Sequence, residues 1–240
     1  MSLLVPARRF DPEWMDRSDN VPADLIGALD DIRLVNRFLG GSSILVDAVG
    51  PHLDALGEGE TLRVLDVGTG GADLPLDIVA EAKRRRRSVR IVAVDRDPVT
   101  LRYAREKTAE TPEIEIMAAD AFELPFPPGS FDLVTASMFL HHFGEDDAVR
   151  LLAEFKRMAK RAVLINDLRR HLVSWAFISL ASRLTQRHPM FVHDAALSVL
   201  RGFTKAELLT AARRAGAPDA TIRRRIPYRL LLTIPAGDAR

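Results

Sequence analysis

Residues 62–75 read Leu-Arg-Val-Leu-Asp-Val-Gly-Thr-Gly-Gly-Ala-Asp-Leu-Pro, and that order decides the fold. An apolar run from Leu62 to Val67 meets a glycine turn, Gly68, Gly70 and Gly71, and an amphipathic stretch from about Ala72 to Arg86 follows. A strand that turns on glycine into a helix presents free backbone N–H groups at the carboxyl edge of a sheet, where a ligand can approach the main chain. The dinucleotide form of this turn needs glycine or alanine at position 73. Asp73 stands there instead and sets a carboxylate where a pyrophosphate would lie. Asp66, two residues before the first glycine, adds a second negative charge, so the turn suits a cationic or zwitterionic group.

Outward from this turn, short β-branched runs alternate with helical patterns, the signature of a parallel sheet wrapped by helices. Strands are expected at Leu62–Val67, Val89–Asp95, Ile114–Ala118, Phe131–Ser137 and Ala162–Asp167. Helices are expected at about Ala72–Arg86, Pro98–Ala109 and Asp146–Ala159, with Asp97-Pro98 as N-cap and first helical residue. A further helix, Thr204–Ala215, precedes two runs, Thr221–Ile226 and Tyr228–Ile234, that only Pro227 separates. So short a link cannot hold a parallel crossover, and an antiparallel hairpin ending follows.

Residues 1–57 read as an N-terminal helical cap, with Leu25, Leu29, Ile32, Val35 and Phe38 along one stripe and Ser43 capping Ile44–Leu56. Residues 58–240 form the main domain. Within it, residues 168–203 are a helical insertion before the last helix, read either as an ordinary core helix or as a lid over an apolar substrate.

The 240 residues are 47% hydrophobic and 28% charged, a globular balance that excludes collagen, coiled coil and disorder as the main architecture. No cysteine is present, which removes disulfides, thiolate metal sites and cysteine nucleophiles, and no metal site is expected. A formal net charge of +1 gives no global attraction to polyanions. The opening MSLLVPARRF has no secretory apolar region, no run is long enough to span a bilayer, and a cytoplasmic location is expected.

Two more acids extend the pattern. Asp95 closes the second strand, where a carboxylate accepts hydrogen bonds from a ribose diol, and Asp120-Ala121 follows the third. With these residues in view, VLDVGTGGADLP, VAVDRDP and AADAFELPFPPGSFDLV resemble the successive motifs of class I S-adenosylmethionine-dependent methyltransferases, over about residues 60–167. LPFPPGSFDLV and ASMFLHHF are similar to members acting on quinones and other small molecules, and VNRFLGG resembles a subgroup acting on polyketide-type phenols. The resemblance implies an α/β, Rossmann-like fold that binds S-adenosyl-L-methionine. By the same resemblance Asp66, Gly68, Thr69 and Gly70 would hold the methionine part, Asp95 the ribose, Asp120 and Ala121 the adenine. Arg96 would lie against the ring, and Ser137 would line the pocket.

Ser137-Met138-Phe139-Leu140-His141-His142 leaves the fourth strand at the ligand edge. A phenol or enol acceptor must lose a proton, and histidine is the side chain best suited to take it near neutral pH. His142 is the expected base, with His141 beside it turned differently. Asp167 would orient the base or face the substrate, and Trp175 and His193 of the insertion would contact an aromatic or lipophilic acceptor. Arg33 and Arg37, a turn apart, would reach the methionine carboxylate or an acidic substrate, or else lie solvated.

Lys83-Arg84-Arg85-Arg86-Arg87 invites an RNA-methyltransferase reading. The helix it ends starts at the ligand edge, which puts the run at the opposite edge, some ~20 Å away. A small-molecule acceptor is therefore expected and nucleic acid is not. A non-catalytic cofactor-binding module is the remaining alternative.

Overall fold

The apolar runs pair as strands β1 (Thr61–Val67), β2 (Ser88–Asp95), β3 (Ile114–Ala118), β4 (Phe131–Ser137), β5 (Ala159–Leu168), β6 (Thr221–Arg225) and β7 (Arg229–Pro235). The computed structural model describes residues 4–17, 20–38, 41–185, 188–225 and 228–236, without the side chains of 35–38 and 185. The expected VNRFLGG motif, the Val35, Phe38 and Arg37 side chains, and the Ile226-Pro227 junction fall wholly or partly outside that description.

Among the described residues one sheet forms, in the order β3-β2-β1-β4-β5-β7-β6. The first five strands are parallel, and β7 runs antiparallel between β5 and β6. The hairpin ending is as expected, with its second strand, not its first, joined to the parallel sheet. Strand β5 starts three residues earlier than expected because Ala159 already pairs with Phe131 before a register shift.

Helices α1 (Pro22–Phe38), α2 (Gly41–Asp54), α3 (Asp73–Arg84), α4 (Pro98–Thr108), α5 (Glu145–Met158), α6 (Leu172–Thr185), α7 (Pro189–Arg201) and α8 (Lys205–Arg214) surround the sheet. Helix α3 buries Leu74, Pro75, Ile78, Val79 and Ala82, the i, i+4, i+8 stripe of a helix lying on a sheet. Burying each large aliphatic side chain contributes roughly 1.5–3 kcal/mol. Helix α4 starts where the Asp97 carboxylate accepts the Thr100 N–H at 2.7 Å, and α8 starts at a capping box of Thr204 and Glu207.

Two cores flank the sheet. Phe155, Met158, Leu208 and Ile222 belong to one, and Leu45, Val49, Leu53 and Ile78 to the other. Helix α2 is therefore a layer of the sheet sandwich, while α1 lies over the ligand edge. There Leu25, Ala28 and Leu29 pack with Tyr103 of α4 and with Met190 and Phe191 of α7. Residues 4–13, expected as part of a helical segment, are instead an extended strap that ends in a short 3-10 turn at Trp14–Asp16. Hydrogen bonds fasten it. The Trp14 and Met15 N–H groups donate to the Asp194 carboxylate at 2.9 and 3.0 Å, and the Arg8 guanidinium donates to the Arg201 and Phe143 carbonyls.

Candidate active site

The strand order reverses between β1 and β4, and at their carboxyl ends lies a cavity of about 1080 Å³. That is at or above the ~300–1,000 Å³ usual for one small ligand. The glycine turn forms its floor. Gly68 has φ +68° and Gly70 φ +56°, and a Cβ on Gly68 would come within 2.2 Å of the Phe139 ring, so glycine is required there sterically as well as conformationally. The Gly68 and Thr69 N–H groups both donate to the Val94 carbonyl at 3.0 Å, and the Gly70 N–H donates to Asp95 Oδ2 at 3.0 Å. The ends of β1 and β2 are tied together by these bonds.

Burial raises the Asp95 pKa against the opposing bonds from the Asp97, Gly70 and Arg96 N–H groups. Asp66 is enclosed further. Thr135 Oγ1 donates to its carboxylate at 2.7 Å, and burial pushes its pKa up to about 6. Asp120 is exposed at the rim and accepts the Phe122 N–H at 2.8 Å, Ala121 stands beside it, and Arg96 is exposed nearby. Ser137 accepts a long hydrogen bond, 3.3 Å, from Asn166 Nδ2.

The cavity wall thus gathers Asp66, Gly68, Thr69, Gly70, Asp95, Arg96, Asp120, Ala121, Ser137, His141 and His142. Four sequence expectations need correction. Trp175 is not on the wall: the lining residues of α6 begin with Phe177 and Ile178, and Trp175 precedes them at the helix start, partly exposed. His193 is turned outward, stacked on Trp14 with ring centroids 4.0 Å apart and bonded to Asp194. Of the two places expected for Asp167, only the one facing the substrate fails: Asp167 lies behind His141, against the imidazole it was expected to orient. Arg33 pairs with Asp73 at 3.3 Å, and Lys107 pairs with Asp73 at 3.4 Å. Two cations therefore neutralise the carboxylate that was expected to repel a phosphate.

Beyond β4, Met138 adopts φ +55°, and the chain then enters a 3-10 turn carrying both histidines. His141 is buried. Its Nδ1 lies 2.7 Å from Asp167 Oδ1, its N–H donates to Asp167 Oδ2 at 3.0 Å, and the Leu168 N–H donates to Oδ1 at 2.7 Å. Burial alone would raise the Asp167 pKa. The His141 charge and these hydrogen bonds outweigh it and hold the carboxyl below its ordinary value. With Nδ1–H donating to that carboxylate, the Nε2 lone pair is left toward Glu13 Oε1, 3.7 Å away and beyond hydrogen-bond reach. His142 pairs differently, through Nδ1 to Asp16 at 3.0 Å.

Arg201 binds this cluster together. It donates to the His141, His142 and Asp11 carbonyls and stands 3.7 Å from Glu13 and 3.8 Å from Asp16. Glu13, His141 and His142 bring ligand-capable atoms within 4.8 Å of one another, a spacing that could hold a metal ion. The Arg201 guanidinium already supplies positive charge at that point. Sequence reading missed Glu13, Asp16, Arg201 and Arg229, which also line the cavity. No local motif marks any of them.

The Lys83–Arg87 run ends α3 at the far edge, where Lys83 pairs with Glu113, and Arg84 and Arg85 with Glu81. No helix among the described residues is long and apolar enough to cross a membrane.

A methyltransferase-domain family model matches residues 64–162. A methyltransferase of Mycobacterium bovis, described as uncharacterized, is 32% identical over 190 residues, 75% of this chain and 90% of that protein. The chain belongs to the class I S-adenosylmethionine-dependent methyltransferases. This methyltransferase is also 37% identical to the demethylmenaquinone methyltransferase of Thermus thermophilus over 97 residues, 40% of its own chain. It spans about two fifths of that relative's length. A solved S-adenosylmethionine-dependent methyltransferase from Aquifex aeolicus shares the fold, with a TM-score of 0.60 at 16% identity over 91% of this chain and 100% of that one.

Proposed function

We propose that this methyltransferase moves the methyl group of S-adenosyl-L-methionine to a small aromatic or lipophilic acceptor, a phenol, quinol or polyketide-like hydroxyl or carbon, and that His141 takes the acceptor's proton. The observation that carries the reading is the Asp167–His141 pair on the wall of a cavity at the upper end of the usual ligand-site size. Asp167 fixes the imidazole tautomer and stabilises the imidazolium that proton transfer creates, which is how a carboxylate assists a histidine base. His142, the base expected from sequence, is the weaker candidate because its own pair with Asp16 is longer and both partners are less buried.

When bound, the cofactor supplies a methyl group on a sulfonium centre already activated for in-line displacement. The chain's work is then alignment and exclusion of water. The glycine turn and Asp66 fit the methionine part, Asp95 the ribose diol, Asp120 and Ala121 the adenine edge, with Arg96 against the ring and Ser137 at the strand end. The donor set agrees with that group: carboxylates at the ends of β1 and β2 and after β3, with no phosphate-binding lysine on the turn. Phe177, Ile178, Phe191 and Phe143 leave an apolar remainder for the acceptor. The relative named for demethylmenaquinone supports a quinol.

The test is methyl transfer from labelled cofactor to a panel of naphthoquinols and phenols, with products read by mass. His141→Ala should lose roughly 10²- to 10⁴-fold in kcat while affinity for adenosylhomocysteine stays unchanged, and His142→Ala should lose far less. An unchanged kcat in His141→Ala, with methyl transfer rate-limiting, removes His141 as the base. Methylation of RNA and of nothing in the panel removes the acceptor class.

A further inference from the structure

Helix α6 is two-sided in an unusual sense. Ser174, Ile178, Ala181 and Ser182 turn inward, and Ile178, Ala181 and Ser182 line the cavity. The opposite face is apolar and exposed: Leu172 is 40% exposed, Val173 45%, Phe177 44%, Leu180 60% and Leu184 76%. These residues fall within one stripe at about 100° per residue. Contiguous exposed apolar surface of this kind marks an interaction site. Leu4 extends it, since its carbonyl accepts the Leu172 N–H at 2.8 Å, and Phe10, 66% exposed, stands at the cavity mouth.

Charge names the partner. From Leu168 to His193 the sequence holds four arginines and no acid, in a chain whose net charge is only +1. Arg183 is exposed near the end of α6. Arg169 and the exposed Arg224 lie at its start, close enough to His171 that their charges, after burial, lower its pKa. Arg170 is spoken for by Glu207. An apolar strip rimmed at both ends by cations that pair with no acid among the described residues is complementary to a bilayer surface bearing anionic lipid. At 14 residues α6 is too short to cross such a bilayer and long enough to lie in it.

We propose that the exposed face of α6, with Leu4 and Phe10, docks on an anionic membrane surface and sets the cavity mouth against the lipid. Phe177 and Phe10 are both exposed and on the cavity wall, so a lipophilic acceptor would pass from bilayer to site without crossing water. The acceptor's part in this rests on the proposed function. The docking does not, because vesicle binding is measured without turnover.

The experiment is co-sedimentation of the full chain with vesicles of phosphatidylcholine alone and of an equimolar phosphatidylcholine–phosphatidylglycerol mixture. Binding should favour the anionic vesicles, fall with added salt, and weaken roughly tenfold or more in the double variant Leu180→Asp, Leu184→Asp. Neither leucine lines the cavity, so that variant should keep its adenosylhomocysteine affinity, which also shows that it folds. Absence of pelleting with anionic vesicles, or pelleting untouched by the double variant, overturns the proposal. So does a wild-type dimer that the variant converts to monomer, which would assign the face to a second copy. Methylation failing while vesicle binding persists would count against the proposed function alone.

Discussion

Glu13 is a carboxylate with 1% of its surface exposed, one hydroxyl donor in Ser198 at 2.9 Å, and a guanidinium no closer than 3.7 Å. Burial raises its pKa from the ordinary 4.5 to about 7, and the His142 charge, the Ser198 bond and Arg201 offset only part of that. Between those two values the folded chain holds a proton that the unfolded chain has released, so folding stability falls as pH rises through the window. Glu13→Gln keeps the Ser198 acceptor and removes the titration. The gap in unfolding free energy between variant and wild type should open from near zero at the low end to on the order of 3 kcal/mol in the variant's favour above pH 7. Urea titrations at several pH values measure it, and a gap constant with pH would mean that Glu13 stays ionised in the fold.

The strap has no regular secondary structure of its own before Trp14 and depends on side chains of α7. Asp194→Ala removes the acceptor of two strap N–H groups and the partner of His193, and hydrogen bonds to a charged group contribute roughly 1.5–3 kcal/mol each. Trypsin should then cut at Arg8, Arg9 or Arg17 at least tenfold faster, and because the strap detaches before the core opens, the melting temperature should fall by less than those bonds would take from the whole fold. Unchanged cleavage would mean that Arg8 and Arg201 hold the strap unaided. This element also marks where the sequence is legible. The strand–glycine–helix turn, Asp95 and Asp120 are each set by residues a few positions away, and the alternation of strands and helices could be read directly. The contact of Glu13 with Ser198 spans 185 residues, and that of His141 with Arg201 spans 60, so no local pattern announces either. Residue type alone does not separate Phe177 and Phe191, which reach the cavity, from Trp175 and His193, which do not; the facing of α6 and the stacking of His193 on Trp14 of the strap decide it.

At the scale of the whole molecule, the wall residues hang from β1, β2, the segments after β3 and β4, and the strap, with α1 laid across them. A ligand touching all of these ties separate parts of the chain together. Adenosylhomocysteine at about 100 times its Kd should add about 2.7 kcal/mol of stability, a rise of roughly 5–10 °C in Tm, and should slow hydrogen exchange in α1. NAD should do neither, although the neutralised Asp73 no longer supplies the reason. A rise with NAD alone would overturn the cofactor assignment. The place of β7 between β5 and β6 sets a schedule for biosynthesis. Until residues 229–235 have left the ribosome, β6 has no neighbour and β5 shows a bare hydrogen-bonding edge. From the emergence of β5 until then, the nascent chain is therefore open to pairing with strands that are not its own, and slow codons between β5 and β7 would lengthen that exposure.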